Sequence, residues 1–396
     1  MDSLAVRPAR VKTYACGVKA VWTEEDSAER AAISVADALK GSEIGQLLVF
    51  FSPSLGAAAL SRALSCNFAG TPVAGCTTAG QISPGGFSET DLLAVAFPKK
   101  GFRIASGVLP SVRCLTLERG AAIVRELRAQ LDHSAKGLGF HKFALCLIDG
   151  LSNSGEMIVS ALGWALNDIP LTGGSAGDNL LFRETALLHN GETYHDAALL
   201  LIVETEYAVR TFRHDNFEPT DKKLVVTASD SESRTVFELN AESAANEYAM
   251  AACVHGALTS TSFAGHPVVV RIGGDYYCRS IKEVNPDGSL TFWCAIDDGV
   301  VLTVARARDF IASAEKELTR LDNDIGGLDF VLGFECVFRR LDAETQQIKH
   351  RVEELYKRHN IVGFHTYGEQ FNSMHLNQTL TGVVIGPKDT SYVHSS

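Results

Sequence analysis

Three short stretches carry the side chains best placed for chemistry, each inside a glycine-rich turn. They are Val73-Ala-Gly-Cys-Thr-Thr-Ala-Gly-Gln81, Pro170-Leu-Thr-Gly-Gly-Ser-Ala-Gly-Asp178 and Ile361-Val-Gly-Phe-His-Thr-Tyr-Gly-Glu369. The second contains Gly173-Gly-Ser-Ala-Gly177, which fits G-x-S-x-G, the strained turn that exposes the serine of a hydrolase. Ser175 is therefore one candidate nucleophile, and the Cys76 thiol of the first turn is another. Against this, Ser175 aligns with Thr78 and Thr366, and a nucleophile has no reason to recur in three places. A hydroxyl that bonds its own turn backbone accounts for the recurrence. Successive glycine-rich N–H groups can also form a concavity for an anion. On that reading Gly75, Cys76, Thr77, Thr78, Gly173, Gly174, Ser175, Gly177 and Asp178 are candidate contacts for a carboxylate or phosphate, with tight ligand-free turns as the alternative.

Histidine concentrates near the C-terminus, where His350, His359, His365 and His375 fall within one short span. A neutral imidazole ligates transition metals and non-covalent haem. Their spacing does not describe a zinc site. A single proximal histidine suffices for haem when an apolar pocket surrounds it, and Phe364, Tyr367, Phe371, Met374 and Leu376 are at hand. His359 falls on the apolar face of a predicted helix, whereas His365 and His375 lie in and just beyond the third turn. An ordinary core or surface imidazole remains the alternative at each position. No Walker A, G-x-G-x-x-G or H-E-x-x-H pattern occurs.

The elements that must position these turns repeat with them. Upstream lie the strand-like runs Leu47–Phe51, Phe143–Ile148 and Phe330–Phe334, then a helical stretch. In the third unit Ile348, Val352, Leu355 and His359 recur at helical spacing. Downstream of each turn comes a further apolar strand, at Leu92–Ala96, Leu199–Ile202 and Leu380–Ile385. The expected fold is α/β, with repeated strand-helix-strand-turn-strand units in mixed sheets. Residues 221–300 read instead as a β-rich insert, with a hairpin turn at Asn285-Pro-Asp-Gly288. The polar stretch Arg213–Asp221 with Pro219 suggests a boundary. That gives two domains: 1–220 with two units, and 221–396 with the insert and the third unit.

Composition restricts the function classes further. Hydrophobic residues make up 46% and charged residues 21%, the balance of a chain that buries a core. A formal net charge of −11 and no local basic patch argue against a nucleic-acid partner. The N-terminus lacks a signal-peptide core, and the longest apolar run, Ala197–Val203, is far below the ~18 residues of a spanning helix. A cytoplasmic location without membrane insertion is expected. Nine cysteines with no C-x-x-C fit buried, reduced thiols.

At its three turns and at Asn377-Gln-Thr379 the sequence resembles the FIST family, sensory proteins with an N-terminal and a C-terminal FIST domain. The resemblance runs from about Ala31 to Gly386. It implies ligand sensing in bacterial signal transduction without catalysis, with amino acids or other small anionic metabolites among the ligands proposed. The stretch Tyr367 to Thr379 is most similar to a nitric-oxide-sensing haem subgroup (NosP) that controls a partner histidine kinase. That resemblance implies haem b held by His375 or His365, with nitric oxide or another diatomic gas as signal and a two-component system as output. Here Leu376 separates His375 from the Asn-Gln-Thr motif. The segment Gly368–Asn377, without strong periodicity, is expected to be mobile. Whether the chain forms a homo-oligomer is left open. The order of expectation is a haem-linked sensor first, a small-anion sensor second and a Ser175 or Cys76 hydrolase last.

Overall fold

A computed structural model describes residues 6–132 and 141–389. These form two compact units that are not contiguous in sequence. The first comprises residues 1–213, 317–375 and 380–396, and the second residues 214–316 and 376–379. The division expected at 220/221 follows chain order. Compactness instead groups the third repeat with the first two. The stretch around Pro219, read from its polarity as a linker, lies in the strand Phe217–Asp230. Pro219 faces Ala305 there, just before a register shift that spares the ladder a missing N–H.

The first unit contains three sheets, one centred on each repeat. In each, a parallel pair holds the centre: Ile44–Phe51 with Val73–Thr77, His141–Ile148 with Leu171–Ser175, and Phe330–Cys336 with Ile361–Thr366. An antiparallel neighbour follows in each case: Leu92–Pro98, Ala197–Thr205 or Leu380–Lys388. The strand alternation explains the near-continuous apolar runs. Leu48, Phe50, Leu145, Leu147, Leu332 and Phe334 point into one shared core, where Phe50 and Phe334 both pack on Phe364, at 4.7 and 5.5 Å between ring centroids. Their neighbours Leu47, Val49 and Phe51 face the helices Ala28–Ala38 and Ala57–Asn67, while Ala144, Cys146 and Ile148 face Leu117–Asp132 and Gly155–Leu166. Sheets covered on both faces need apolar residues at every position.

A hairpin follows every glycine turn, and it leaves its own sheet. The first hairpin, Gln81–Ser83 and Gly86–Ser88, pairs with Ile361–Thr366 of the third repeat. The second, Leu187–His189 and Glu192–Tyr194, pairs with Val73–Thr77 of the first. The third, Glu369–Phe371 and Met374–Leu376, pairs with Leu171–Ser175 of the second. The exchange is cyclic and locks the three repeats together. The segment Gly368–Asn377, expected to be mobile, supplies this third hairpin.

The second unit is the expected β-rich insert. Its antiparallel strands include Phe217–Asp230, Thr235–Leu239, Val268–Ile272 and Val301–Ala307. Asn285-Pro-Asp-Gly288 turns between Ile281–Val284 and Leu290–Phe292 as expected. The helix Ala244–Ala251 packs Tyr248 into a core with Leu224, Leu290 and Leu302. Among the described residues no helix is long and apolar enough to cross a membrane.

Candidate functional site

Each parallel pair crosses at a glycine because no Cβ fits between the strands. A Cβ on Gly75 would lie 2.0 Å from the Val49 carbonyl oxygen, one on Gly173 1.9 Å from that of Cys146, and one on Gly363 1.8 Å from that of Gly333. This fixes the true equivalence of the turns. Two residues beyond these glycines stand Thr77, Ser175 and His365, paired with Phe51, Ile148 and Glu335. Ser175 therefore corresponds to Thr77 and His365. Its alignment with Thr78 and Thr366 is off by one, because the second turn is one residue shorter.

These three residues form the knot at which the repeats meet. The Thr77 N–H donates to Ala186 and its carbonyl accepts from Gly177. Ser175 makes the same two bonds with Gly368 and Tyr367, and His365 with Gly80 and Ala79, at 2.8–3.2 Å. Thr78 and Ala176 donate to the carbonyls of Phe51 and Ile148. The turn amides are thus committed to backbone partners. Gly75, Cys76, Gly173 and Gly174 are buried within strands. The anion concavity expected from the glycine spacing is occupied by neighbouring chain.

The candidate nucleophiles lie in the same interior. Ser175 is buried, and its Oγ accepts a hydrogen bond from the Gln370 amide at 3.0 Å. Cys76 is fully enclosed, and burial pushes its thiol well above the ordinary range.

The two candidate haem histidines occupy different surroundings. His365 is completely buried, with Nδ1 3.4 Å from the Glu335 carboxylate and its ring edge-on to Phe87 at 4.7 Å. Glu335 also accepts from Arg339 at 3.1 Å and from the Tyr356 hydroxyl. Burial, then the charges of Arg340, Lys349 and Arg339, hold His365 well below its usual range, so the imidazole is neutral. Gly80 packs against the ring edge, where a Cβ would come within 3.2 Å of Cδ2, and complete burial leaves no opening beside the ring nitrogens for a porphyrin. The surroundings of His365 do not fit haem. His375 is half-buried on the third hairpin, its Nδ1 3.4 Å from the Gln370 amide nitrogen. Its ring fills the space above Gly155, where a Cβ would lie 2.7 Å from Nδ1 and Cε1.

One open cavity lies in the first repeat. A cavity of about 620 Å³ sits beyond the carboxyl ends of Ile44–Phe51 and Val73–Thr77, the usual ligand position in open α/β sheets. Thr77 and Asp178, both candidates from the sequence, are among its walls. One side is the start of the helix Ala57–Asn67, at Gly56 to Ala59, where no side chain caps the helix. Arg62, Arg183 and His195 bring basic groups to the rim, the Glu184 carboxylate lies among them 3.7 Å from His195 Nε2, and Leu181 and Ala186 add apolar surface. Asp178 shapes this wall: its carboxylate accepts from the N–H groups of Phe182, Arg183 and Glu184 and from the Tyr367 hydroxyl. Those four donors hold it below the usual carboxylate range despite burial. Sequence reading missed Arg183, Thr193 and His195, because the crossing hairpin and the intervening loop bring them to the first repeat, and Arg62, because it lies on a helix away from the turns.

Fold and site together define an α/β protein of three interlocked repeats with a cavity lined by charged groups of both signs and a β-rich insert. A family model described as "FIST N domain" matches residues 46–242, and one described as "FIST C domain" matches residues 244–372. The chain belongs to the FIST family, whose domains are sensor domains of signal transduction, sensory rather than catalytic. No curated protein matches the chain.

Proposed function

We propose that this FIST protein senses a small carboxylate- or phosphate-bearing metabolite in the first-repeat cavity and signals through a partner protein. The observation that carries the reading is the cavity itself, of about 620 Å³, where an uncapped helix start, Arg62 of that helix and Arg183 share the lining, while the Asp178 and Glu184 carboxylates there are engaged by loop N–H groups and by His195. Positive partial charge at the helix start and two guanidiniums suit an anionic head, and Pro53, Ala57 and Leu181 suit a short apolar remainder. An exposed arginine at such a site is worth about 1.4 kcal/mol, or about tenfold in affinity. Arg62→Ala and Arg183→Ala are therefore expected to weaken a bound carboxylate about tenfold each by calorimetry. Wild-type affinity retained in both variants would refute the site.

A second reading places haem b on His375, with nitric oxide as signal and a histidine kinase as partner in the cytoplasm. It is favoured by the half-buried position of His375 on a hairpin, in contrast to His365. It requires the ring to leave the space above Gly155. Absorption spectra after haem addition test it: a Soret band lost in His375→Ala supports it, and no band refutes it.

A further inference from the structure

The three repeats build the same seat three times. In each, a parallel strand pair ends beside the start of a helix, and the hairpin of another repeat closes the space. The middle residue of each hairpin's returning strand comes to the corresponding position: Phe87, Thr193 or His375. At the third-repeat seat the Phe87 ring packs against His365. At the second-repeat seat the His375 imidazole sits against Gly155, beside Gln370. At the first-repeat seat the residue is Thr193, and there the cavity of about 620 Å³ is open.

We infer that Thr193, by its size, determines which seat takes a ligand, and that the second-repeat seat is a latent binding site closed by the chain's own imidazole. The first clause rests on the reading of the first-repeat cavity as the ligand seat. The second stands on the equivalence of the repeats. The second seat has the parts of a site for a small heteroaromatic ring of the imidazole class. Gly155 opens the helix Gly155–Leu166 to close approach, since a side chain there would collide with the ring. Ser175 Oγ accepts from Gln370, which also reaches the ring. Gln370 is fully buried, and its Oε1 has no hydrogen-bond partner among the described residues. The side chain whose amide nitrogen meets the ring thus carries an unused acceptor for an N–H donor. The internal ring is thus a ligand mimic tethered through the hairpin.

Two substitutions in the full chain test this. His375→Ala empties the second seat, and His375→Thr copies the residue of the open one, so either folded variant serves. Imidazole is the probe, followed by calorimetry and thermal melting. The expected result is one equivalent bound at millimolar affinity, at least tenfold tighter than by the wild type, with recovery of the melting temperature. Imidazole binding no stronger than that of the wild type overturns the latent site. In the second arm, Thr193→Phe copies the third seat, with glutamate and inorganic phosphate as probes. The probe that binds the wild type is expected to lose at least tenfold in affinity, with the far-ultraviolet spectrum unchanged. Undiminished binding overturns the role of Thr193. If neither probe binds the wild type, the first-seat reading fails, while the imidazole arm still decides the equivalence.

Discussion

Replacing Asp178 with Asn changes one atom of the cavity wall and has a calculable cost. The carboxylate is 2% exposed and takes four donors: the Phe182 N–H at 2.9 Å and the Tyr367 hydroxyl on Oδ1, and the N–H groups of Arg183 at 2.7 Å and Glu184 at 3.0 Å on Oδ2. These bonds hold a loop in which Asn179, Leu180 and Phe182 all have left-handed φ, at 55°, 65° and 50°. Such angles are unfavourable for non-glycine residues and persist only when the surroundings enforce them. An amide keeps one acceptor oxygen and sets an NH2 against two donors. Losing two hydrogen bonds to a charged group costs about 3 kcal/mol. Urea unfolding at pH 7 should show that loss, and hydrogen exchange at residues 180–184 should quicken by about a hundredfold. The pH dependence has a defined sign. The folded carboxylate lies below its ordinary range, so its stabilisation is complete above the unfolded value of about 3.9 and is lost as pH falls through the lower folded value. The variant should lack that acid-side loss. A change below about 0.5 kcal/mol with unaltered exchange would show that the carboxylate does not hold the loop.

Other outcomes follow from the same geometry. Tyr367→Phe removes the donor to Asp178 and the acceptor of the Leu180 N–H, at 2.7 Å, but keeps the stack on Phe182, at 4.7 Å, and should cost about 2.5 kcal/mol in the same unfolding assay. Gly173→Ala and Gly75→Ala place a Cβ within 2.0 Å of a backbone oxygen, and neither strand has a flexible side chain to yield; both variants should fail to give soluble, folded protein by circular dichroism. His365 is held neutral in the folded chain, so below the unfolded value of about 6.5 the wild type should lose about 1.4 kcal/mol per pH unit from this residue. In His365→Phe that contribution should vanish between pH 6 and pH 5, as measured by urea unfolding.

The sequence made the repeats legible because each is local. The apolar runs and the glycine turns lie in one stretch of chain, and strands buried on both faces show as continuous apolar runs. Their cyclic interlock was not legible, since the pairing of Gln81–Ser83 with Ile361–Thr366 spans most of the chain and leaves no local signature. The glycines of the turns were legible as special, but their cause was not. Gly75, Gly173 and Gly363 are glycine because strands approach closely there, whereas the spacing at Gly75 and Gly173 left an anion cradle and tight ligand-free turns both open. Thr77 and Asp178 were found from the turns and do border the cavity. Arg183 and Thr193 were invisible to the same reasoning, since no periodicity marks a residue that acts at another repeat, and Arg62 lies on a helix away from the turns. His365 and His375 look alike as residues of one turn. Only packing separates a sealed imidazole beside Glu335 from a half-buried one against Gly155.

The sensing role rests on the first-repeat cavity taking an anion. Its most direct test is thermal melting of the wild type and Thr193→Phe against a panel of small carboxylates and inorganic phosphate. A ligand at one hundred times its Kd stabilises by about 2.7 kcal/mol, enough to raise the melting temperature by several degrees. The account predicts such a rise for at least one compound in the wild type and none for that compound in the variant. No rise with any compound, or the same rise in both proteins, would contradict it.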